Sequence, residues 1–290
     1  MANYRMNYYT EKQLFDFIDA CIMEDVGDGD HTSLSTIPSG TSNKAKLLVK
    51  ESGIIAGVAL AVKIFHRFDP QLKVEVLLND GDLVIPGDTV LYVQGSAHSI
   101  LKAERLVLNI MQRMSGIATT TRKIVDMVAH TKCRILDTRK TTPGLRFLEK
   151  EAVLIGGGYN HRFGLFDMIL IKDNHVDYAG GITNALKNAK QYLKDTRRSL
   201  PIEIETRTLE EVKEALNEGG FVRIMFDNFS FEDLKKAIEL VGDQYETEAS
   251  GGITSQNVIQ YAELGVTCIS MGALTHSVKS LDLSLKAVIE

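Results

Sequence analysis

The sequence predicts an α/β protein whose second half forms a βα barrel of about six to seven strands, similar in plan to a TIM barrel. Short apolar runs alternate there with helical stretches, which is typical of parallel strands buried beneath helices. Each run ends in a polar residue or a glycine, and the chemistry of βα barrels lies at these carboxyl ends. A doubly wound sheet is disfavoured, because no GxGxxG motif follows a predicted strand.

The first half is predicted to mix helices with antiparallel strands. Apolar residues recur at three and four positions from about Thr10 to Glu24, which predicts an amphipathic helix, and Val58 to Phe68 is also expected to be helical. Alternating apolar residues predict strands, and the Asp-Gly and Pro-Gly turns favour hairpins between them. These strands are expected within residues 44–52, 73–85 and 88–96.

A long helix that begins near Ser99 leads into the predicted barrel. Its apolar residues from Val107 to Val128 fall on one face, and Arg105 lies near its start. The barrel strands are predicted within residues 133–137, 168–173, 202–206, 222–228, 245–250 and 268–272.

Composition argues against several classes of protein. The 290 residues carry a net charge of -5 with a pI near 5.9, whereas a surface that tracks nucleic-acid phosphates needs basic excess. The longest apolar run begins at Gly53 and falls short of the roughly 20 residues of a membrane helix. The N-terminus lacks the basic start and apolar core of a secretory signal. Since Cys21, Cys133 and Cys268 form no CxxC pair, we expect a reducing compartment, the cytoplasm.

Basic residues are grouped between Asp137 and His175, although this segment as a whole is nearly neutral. Arginine offers a planar fork to a carboxylate, while lysine supplies a compact charge that can follow a developing anion. An Arg-Lys pair at a strand end is usually a solvated edge, but a second cluster and a further lysine favour a pocket for a small polyanion. The grouped residues are Arg139, Lys140, Asn160, His161, Arg162 and Lys172.

Glu205 and Asp227 end successive predicted strands and are expected to face the same mouth of the barrel. Carboxylates there could hold magnesium directly or through water, bind ribose hydroxyls and stabilise a sugar cation. The structural alternative is that they form ion pairs with Arg207 and Lys172.

Three glycine-containing segments follow predicted strands or helices. Residues 156–158 are consecutive glycines, which let the backbone approach a neighbour or a ligand closely. Ser250, Gly251 and Gly252 precede a predicted helix, and Met271 with Gly272 follows the last strand. Barrels often bind phosphate at such places, although glycine turns also occur there without a ligand. The histidines outside the basic cluster have no metal-ligand spacing, so a tightly held zinc ion is not expected.

The blocks TRKTTPG, GGGYNHR and LIKDNH occur in this order and spacing, and ERLVLNIMQRMSGIATTT, IEIET, IMFDN, EASGGIT and ISMGAL extend the match through most of the chain. Together they resemble the quinolinate phosphoribosyltransferases, which convert quinolinate and phosphoribosyl pyrophosphate to nicotinate mononucleotide with release of CO2. The resemblance implies an α/β sandwich of residues 1–115, joined by the tail 276–290, and an open α/β barrel of residues 116–275. It also implies a homodimer, or a higher oligomer built from it, in which Arg105 reaches the partner's pocket.

The resemblance further implies a division of the site between two substrates. Quinolinate would be bound by Arg105, Arg139, Lys140, His161, Arg162 and Lys172. Phosphoribosyl pyrophosphate with Mg²⁺ would be bound by Glu205, Asp227, Ser250, Gly251, Gly252 and the segment Ser270–Gly272, while Thr138 adjoins both sets. Glu205 and Asp227 would stabilise the sugar cation, and Lys140 or Lys172 the carbanion left by decarboxylation. The sequence does not choose between these lysines.

Three rival functions stay open at this point. A transferase for nicotinate on the same fold needs fewer cations, because that acid lacks one carboxylate. A Schiff-base lyase would use Lys172 or Lys140 as its amine, but such a lysine needs an apolar pocket. A non-catalytic sensor would keep the phosphate loops and bind without turnover.

Overall fold

The computed structural model describes residues 9–288, so the extreme ends of the chain lie outside the described residues. The chain divides into two compact units. The first unit comprises residues 1–122, 147–157 and 277–290, and the second unit comprises residues 123–146 and 158–276. The boundaries drawn above at residues 115/116 and 275/276 remain predictions.

The strands of the described chain are β1 (Ser42–Val49), β2 (Gly53–Ile54), β3 (Lys73–Val76), β4 (Leu83–Val84), β5 (Thr89–Ser96), β6 (Arg134–Leu136), β7 (Ile169–Ile171), β8 (Ile202–Thr206), β9 (Arg223–Asp227), β10 (Glu246–Ser250), β11 (Cys268–Ser270) and β12 (Leu283–Ala287). The helices are α1 (Glu11–Val26), α2 (His31–Thr36), α3 (Val58–Phe68), α4 (Ala97–Met127), α5 (Arg146–Ile155), α6 (Asp173–Ala179), α7 (Ile182–Thr196), α8 (Leu209–Glu218), α9 (Phe231–Val241), α10 (Val258–Glu263) and α11 (Ala273–His276). Nowhere in residues 9–288 does a helix combine the length and the apolar character needed to cross a membrane.

The first unit is built around an antiparallel sheet in the order β12-β1-β5-β3. Its central strand β1 buries alternate residues, Ala45, Leu47 and Val49, as expected for a strand with one covered face. The C-terminal strand β12 pairs with β1, with Leu285 opposite Leu47. The hairpin prediction was wrong for β4, which pairs with β2 because Gly81 and Asp82 hydrogen-bond to Ile55 and align the two short strands.

The helix α4 is 31 residues long, and its predicted apolar face is buried, with Met111 and Ile117 fully inaccessible. The end of α5 packs closely against it at Gly156. A Cβ atom on Gly156 would lie 2.6 Å from the carbonyl oxygen of Ala118 and 2.7 Å from Cβ of Thr121. The first glycine of the triplet therefore serves the approach of two segments within the first unit.

The second unit contains a parallel sheet of six strands in the order β6-β11-β10-β9-β8-β7. Helices follow the strands, and their starts are fixed by side-chain caps: Thr208 accepts the amide of Glu211, and Ser230 that of Asp233. The predicted alternation of parallel strands and helices is thus confirmed.

Side chains on this sheet alternate between two chemically different faces. Ile204 and Ile224 are neighbours in register and fully buried on one face. On the other face the register places Glu203 beside Arg223, and Arg223 beside Glu246. Further along the same face, the ends of the strands bring charged and polar residues to one edge of the sheet.

Candidate functional site

A cavity of about 840 Å³ opens at the carboxyl ends of these strands, entirely within the second unit. Most of the predicted site residues contribute to its lining. They are Thr138, Arg139, Lys140, His161, Arg162, Lys172, Asp227, Ser250, Gly251, Gly252, Ser270, Met271 and Gly272. Arg105 and Glu205 are not among the lining residues.

Asp137, directly after β6, positions the second basic cluster. It is fully buried, and its carboxylate accepts hydrogen bonds from Nδ2 of Asn160 at 2.6 Å and from the backbone amide of His161 at 2.8 Å. The backbone of Tyr159 pairs with Leu136 beside this point. The acidic residue at the strand end therefore acts as an anchor that brings residues 159–162 to the cavity.

Both ring nitrogens of His161 make contacts inside the protein. Nδ1 accepts the backbone amide of Arg162 at 2.7 Å, while Nε2 lies 3.1 Å from Glu203 and 3.5 Å from Glu248. Burial disfavours the charged ring, but the hydrogen bonds and charges of the two glutamates raise the pKa of His161 to about 9. A protonated Nδ1 could not accept the Arg162 amide. In the neutral ring the hydrogen-bond geometry therefore places the proton on Nε2, facing the carboxylates, whereas a second proton on Nδ1 would displace the Arg162 amide.

Arg139 and Arg162 form a pair of like charges at the cavity wall. Burial and the positive charge of Arg139 lower the pKa of Arg162 from its usual value. Nε of Arg139 is buried and lacks a hydrogen-bond partner among residues 9–288. Buried donors of native proteins are normally satisfied by protein, water or ligand, so this pair favours an anion in the cavity.

Neighbouring residues brace the segments that carry the two arginines. Arg146 donates to the carbonyl oxygen of Phe163 at 3.1 Å and to Oγ1 of Thr141 at 2.9 Å, bracing the segments that follow each arginine. Arg162 itself donates to the carbonyl oxygen of Met168 at 3.3 Å. The two arginines are thus placed by the fold.

Lys172 and Glu205 form an ion pair, with 3.1 Å between Nζ and Oε2. The other oxygen of Glu205 accepts the backbone amide of Asp173, and the side chain is only 5% exposed. The structural alternative is confirmed for this pair. It was wrong for Arg207, which pairs with Asp177 and Glu211, because both lie on the helices beside it.

Asp227 lies at the end of β9 and lines the cavity. Its Oδ2 accepts a hydrogen bond from Nδ2 of Asn228 at 2.8 Å. In the part of the chain that the structure describes, no lysine, arginine or histidine forms an ion pair with Asp227. It is therefore better placed than Glu205 to meet a cation or a sugar.

The segment from Ser250 to Gly252 reaches the cavity as predicted, but the helix after it starts later than expected. Residues 255–257 form a turn, in which Asn257 accepts the amide of Thr254 at 2.7 Å, and α10 begins only at Val258. Nδ2 of Asn257 also donates to the carbonyl oxygen of Gly252 at 3.1 Å. Any phosphate bound here would meet loop amides, not a helix terminus.

A cluster of His161, Glu203 and Glu248 has the donor types of a metal site, with one ligand atom from each lying within 4.8 Å of the others. A cation already lies at this cluster, however. NH1 of Arg223 lies 3.0 Å from Glu248 and 3.6 Å from Glu203. The arginine neutralises the carboxylates, so the cluster is better described as a buried ion network beneath the cavity.

Sequence reasoning missed several residues of this site. Glu203 and Arg223 lie near the starts of β8 and β9, and the alternation of IEIET and RIMFD shows which residues of each strand share a face but not that this face is charged and buried. Glu248, Asn228 and His276 line the cavity. For Asn228 the available signal was its position at the end of a predicted strand.

Arg105 lies on α4 in the first unit, and its side chain is exposed. Within residues 9–288 it has no ion-pair partner. Its predicted role at a partner's pocket therefore stays a prediction.

Two family descriptions match the chain. Residues 30–115 match the quinolinate phosphoribosyl transferase N-terminal domain, and residues 117–286 match the C-terminal domain of the same family. The N-terminal match covers strands β1–β5, and the C-terminal match covers all six strands of the parallel sheet.

Similar proteins agree with this assignment. A chloroplastic nicotinate-nucleotide pyrophosphorylase (carboxylating) of Oryza sativa subsp. japonica is 51% identical over 93% of this chain and 76% of its own. A probable nicotinate-nucleotide pyrophosphorylase (carboxylating) of Bacillus subtilis is 43% identical over 98% of this chain and 96% of its own.

Solved structures show the same likeness. The crystal structure of NadC from Streptococcus pyogenes has a TM-score of 0.91 at 36% identity and covers 97% of this chain and 99% of its own. A human nicotinic acid phosphoribosyltransferase, at 13% identity and a TM-score of 0.63 over 97% of this chain and 74% of its own, shares the fold alone. On these matches, the chain belongs to the quinolinate phosphoribosyltransferase family.

Proposed function

We propose that this protein transfers the phosphoribosyl group of phosphoribosyl pyrophosphate to quinolinate, with release of pyrophosphate and CO2, to give nicotinate mononucleotide. The observation that carries the proposal is the pair of Arg139 and Arg162 in one cavity, with a buried Nε that has no hydrogen-bond partner in residues 9–288. Lys140 and Lys172 line the same cavity. A dicarboxylate of modest size matches this concentration of positive charge in an otherwise acidic chain.

Quinolinate would lie with its carboxylates toward the arginines. The forked guanidinium groups suit the planar carboxylates, and their mutual repulsion would be relieved when the dianion binds. His161, next to Arg162, would support this wall through its contacts with the buried Glu203 and Glu248. With the ring so held, the pyridine nitrogen would face the sugar.

The sugar substrate would lie at the opposite wall. Asp227 would face the ribose and stabilise positive charge on its C1 as pyrophosphate leaves, while the loop 250–252 and Gly272 would offer backbone amides to the 5′-phosphate.

A magnesium ion fits Asp227 better than Glu205, because both oxygens of Glu205 are engaged by Lys172 and the amide of Asp173. Magnesium commonly uses one or two protein carboxylates together with substrate phosphates. Bound in that way, its contribution is to neutralise charge on the departing pyrophosphate.

Decarboxylation would follow glycosyl transfer. The C2 carboxylate leaves as CO2, its bonding electrons stay on C2 beside the now positive ring nitrogen, and a proton then adds to C2. We propose Lys140 as the cation nearest this carbanion, because the ammonium group of Lys172 is engaged by Glu205. Lys140 lines the cavity and has no ion-pair partner in residues 9–288.

The wider organisation is proposed on the same resemblance. The parallel sheet of the second unit supports an open barrel, and the antiparallel sheet of the first unit supports an α/β sandwich of residues 1–115 with the tail 276–290. We propose a homodimer in which Arg105 of each subunit enters the partner's cavity. Three free cysteines, with burial raising the pKa of Cys133 to about 12 and of Cys268 to about 11, support a cytoplasmic location.

The test is release of labelled CO2 from carboxyl-labelled quinolinate, with phosphoribosyl pyrophosphate and magnesium present. We expect release that depends on all three components. Nucleotide formation from nicotinate, run in parallel, is expected to be far slower. Turnover of nicotinate without CO2 release from quinolinate would retain the fold but overturn the proposed substrate.

A further inference from the structure

We propose that Asn228 is a positioning residue that locks Asp227 to the loop 250–252 and thereby sets the affinity of the site for phosphoribosyl pyrophosphate. The inference rests on the proposed function and assigns a determinant within its sugar-binding wall. Asn228 follows β9 directly and lines the cavity between Asp227 and this loop.

The backbone of Asn228 adopts a conformation that side-chain-bearing residues rarely take. Its φ is 57°, in the left-handed region. Arg197 shares this feature among the described non-glycine residues, but Arg197 ends helix α7, where a left-handed residue is the usual way to stop. Asn228 ends no helix. A strained residue beside a cavity is a pointer to function when its contacts explain why the strain is kept.

Two hydrogen bonds join Asn228 to both elements. Its side-chain Nδ2 donates to Oδ2 of Asp227 at 2.8 Å, and its backbone amide donates to the carbonyl oxygen of Ser250 at 2.9 Å. The first fixes one oxygen of the Asp227 carboxylate. The second continues the pairing of β9 with β10 by one residue, beyond Asp227 and Ser250 themselves.

Packing ties the same amide group to Gly251. A Cβ atom on Gly251 would lie 2.5 Å from Cγ of Asn228, so the amide occupies the space that any side chain at position 251 would need. Gly251 itself has a φ of 90°, which only glycine adopts without strain. The loop and the amide are therefore fitted to one another, and neither can move without disturbing the other.

This arrangement leaves Asp227 charged and oriented. A neutral amide donor holds Oδ2 without supplying a counter-charge, so the carboxylate keeps its negative charge for a sugar or a metal ion. Meanwhile the backbone amides after Ser250 keep the orientation that a phosphate would meet. Both effects act on the sugar substrate, whereas Arg139 and Arg162, which would bind quinolinate, lie in the segments after β6 and before β7.

The experiment compares Asn228→Gly and Asn228→Asp with the unaltered protein. Glycine keeps the left-handed backbone at no steric cost and removes the amide, whereas aspartate keeps the shape but places a second carboxylate against Asp227. We expect both changes to raise KM for phosphoribosyl pyrophosphate at least about tenfold, the loss expected for a hydrogen bond to a charged group. KM for quinolinate is expected to stay within about twofold, because Arg139 and Arg162 are unchanged.

Arg197→Gly is the matched control, because it makes the same backbone change at a left-handed position away from the cavity. Its kinetics are expected to match those of the unaltered protein. The thermal midpoints of Asn228→Gly and Arg197→Gly are expected at or above that of the unaltered protein, which excludes misfolding as the cause of any loss.

An Asn228→Gly protein with an unaltered KM for phosphoribosyl pyrophosphate would overturn the proposal, and Asn228 would then serve only the turn. Calorimetric binding of phosphoribosyl pyrophosphate with magnesium separates this failure from failure of the proposed function. If the unaltered protein binds it but releases no CO2 from quinolinate, the function is wrong. A weaker binding by both variants would still support Asn228 in that case.

Discussion

Nε2 of His161 lies 3.1 Å from Oε2 of Glu203, and the two side chains are 6% and 0% exposed. Oε2 of Glu248 lies 3.5 Å from the same nitrogen, and NH1 of Arg223 lies within 3.6 Å of both glutamates. A buried network of alternating charges therefore lies beneath the cavity wall that carries Arg139 and Arg162. Because such charges are costly to bury, each depends on its partners.

The first prediction concerns Arg223→Met. The methionine fills part of the space of the arginine stem but leaves Glu203, Glu246 and Glu248 without their shared cation. Removing one partner from a buried ion network typically costs about 3–5 kcal/mol of stability. We expect a loss of this size in the free energy of unfolding, measured by urea titration.

Arg207→Met is the matched control, since Arg207 also bridges two acidic residues but at an exposed position. Its loss is expected to stay below about 1 kcal/mol. The difference in the free energy of unfolding between Arg223→Met and the unaltered protein should also depend on pH. In the unaltered protein, hydrogen bonds and charges of basic neighbours outweigh burial and hold the pKa of Glu246 and Glu248 low, so their contribution is lost as pH falls. In Arg223→Met these carboxylates lack the part of that contribution which Arg223 supplies, so the difference in the free energy of unfolding between the variant and the unaltered protein should narrow toward acid pH. Equal losses for both variants would contradict the network.

The second prediction concerns the proton on His161. In the neutral ring the Arg162 amide donates to Nδ1, so nitrogen NMR above the raised pKa of about 9 should show a ring that is protonated at Nε2 alone. At pH 7, below that pKa, the ring should be doubly protonated, and its Nδ1 then no longer accepts the Arg162 amide. The charged ring stabilises the fold below the unfolded pKa of about 6.5, and this contribution is lost as pH rises through about 9. A neutral ring at pH 7 would contradict the prediction and would show that the Arg162 amide keeps Nδ1 unprotonated.

The third prediction tests whether Arg139 and Arg162 form the quinolinate side of the cavity. Arg139→Met removes one fork of the proposed quinolinate site, while the loop 250–252 and Asp227 stay in place. A hydrogen bond to a charged group is worth about 1.5–3 kcal/mol, so we expect KM for quinolinate to rise roughly 10- to 100-fold. KM for phosphoribosyl pyrophosphate should change little. Arg198→Met, at an exposed arginine outside the cavity lining, is the control and should leave both constants unaltered.

A larger effect of Arg139→Met on the sugar substrate than on quinolinate would show that the two walls have been assigned the wrong way round. Steady-state kinetics with each substrate varied in turn distinguish the two results.

Sequence reasoning located the cavity wall because its residues lie at strand ends, where parallel strands bring them together whatever the details of packing. Arg139, Lys172 and Asp227 were found in this way. The network below was missed because Glu203 and Arg223 become partners only through the register of two strands that are separated by a helix. A period-2 pattern tells which residues share a face, but not what covers that face.

Other features depend on local geometry that residue types do not fix. Glu205 was expected to face the mouth, yet its carboxylate turns to Lys172 and to the amide of Asp173. Asn228 is a residue type that tolerates a positive φ, but nothing in IMFDN requires it to adopt one. The late start of α10 follows from the turn closed by Asn257, which competes with the helix for the same backbone groups.

The fourth prediction tests whether two subunits share one site. Arg105→Ala and Lys172→Ala are each expected to lose most activity as pure proteins, with unchanged thermal midpoints. In the proposed dimer a cavity contains its own Lys172 and the partner's Arg105. A hybrid of the two variants then has one cavity with both residues intact and one with neither. Random exchange makes half of the dimers hybrid, so activity should recover to about a quarter of the unaltered value.

Arg139→Met mixed with Lys172→Ala is the matched control, because both residues line the cavity of the same subunit. A hybrid of those two proteins carries one defect in each cavity and should show no recovery. Native mass spectrometry would confirm that hybrids form in both mixtures. If hybrids form and the mixture of Arg105→Ala with Lys172→Ala stays inactive, Arg105 serves its own subunit or lies outside the site. Recovery in that mixture alone requires a cavity completed across the interface, since no arrangement confined to one subunit restores an intact pair.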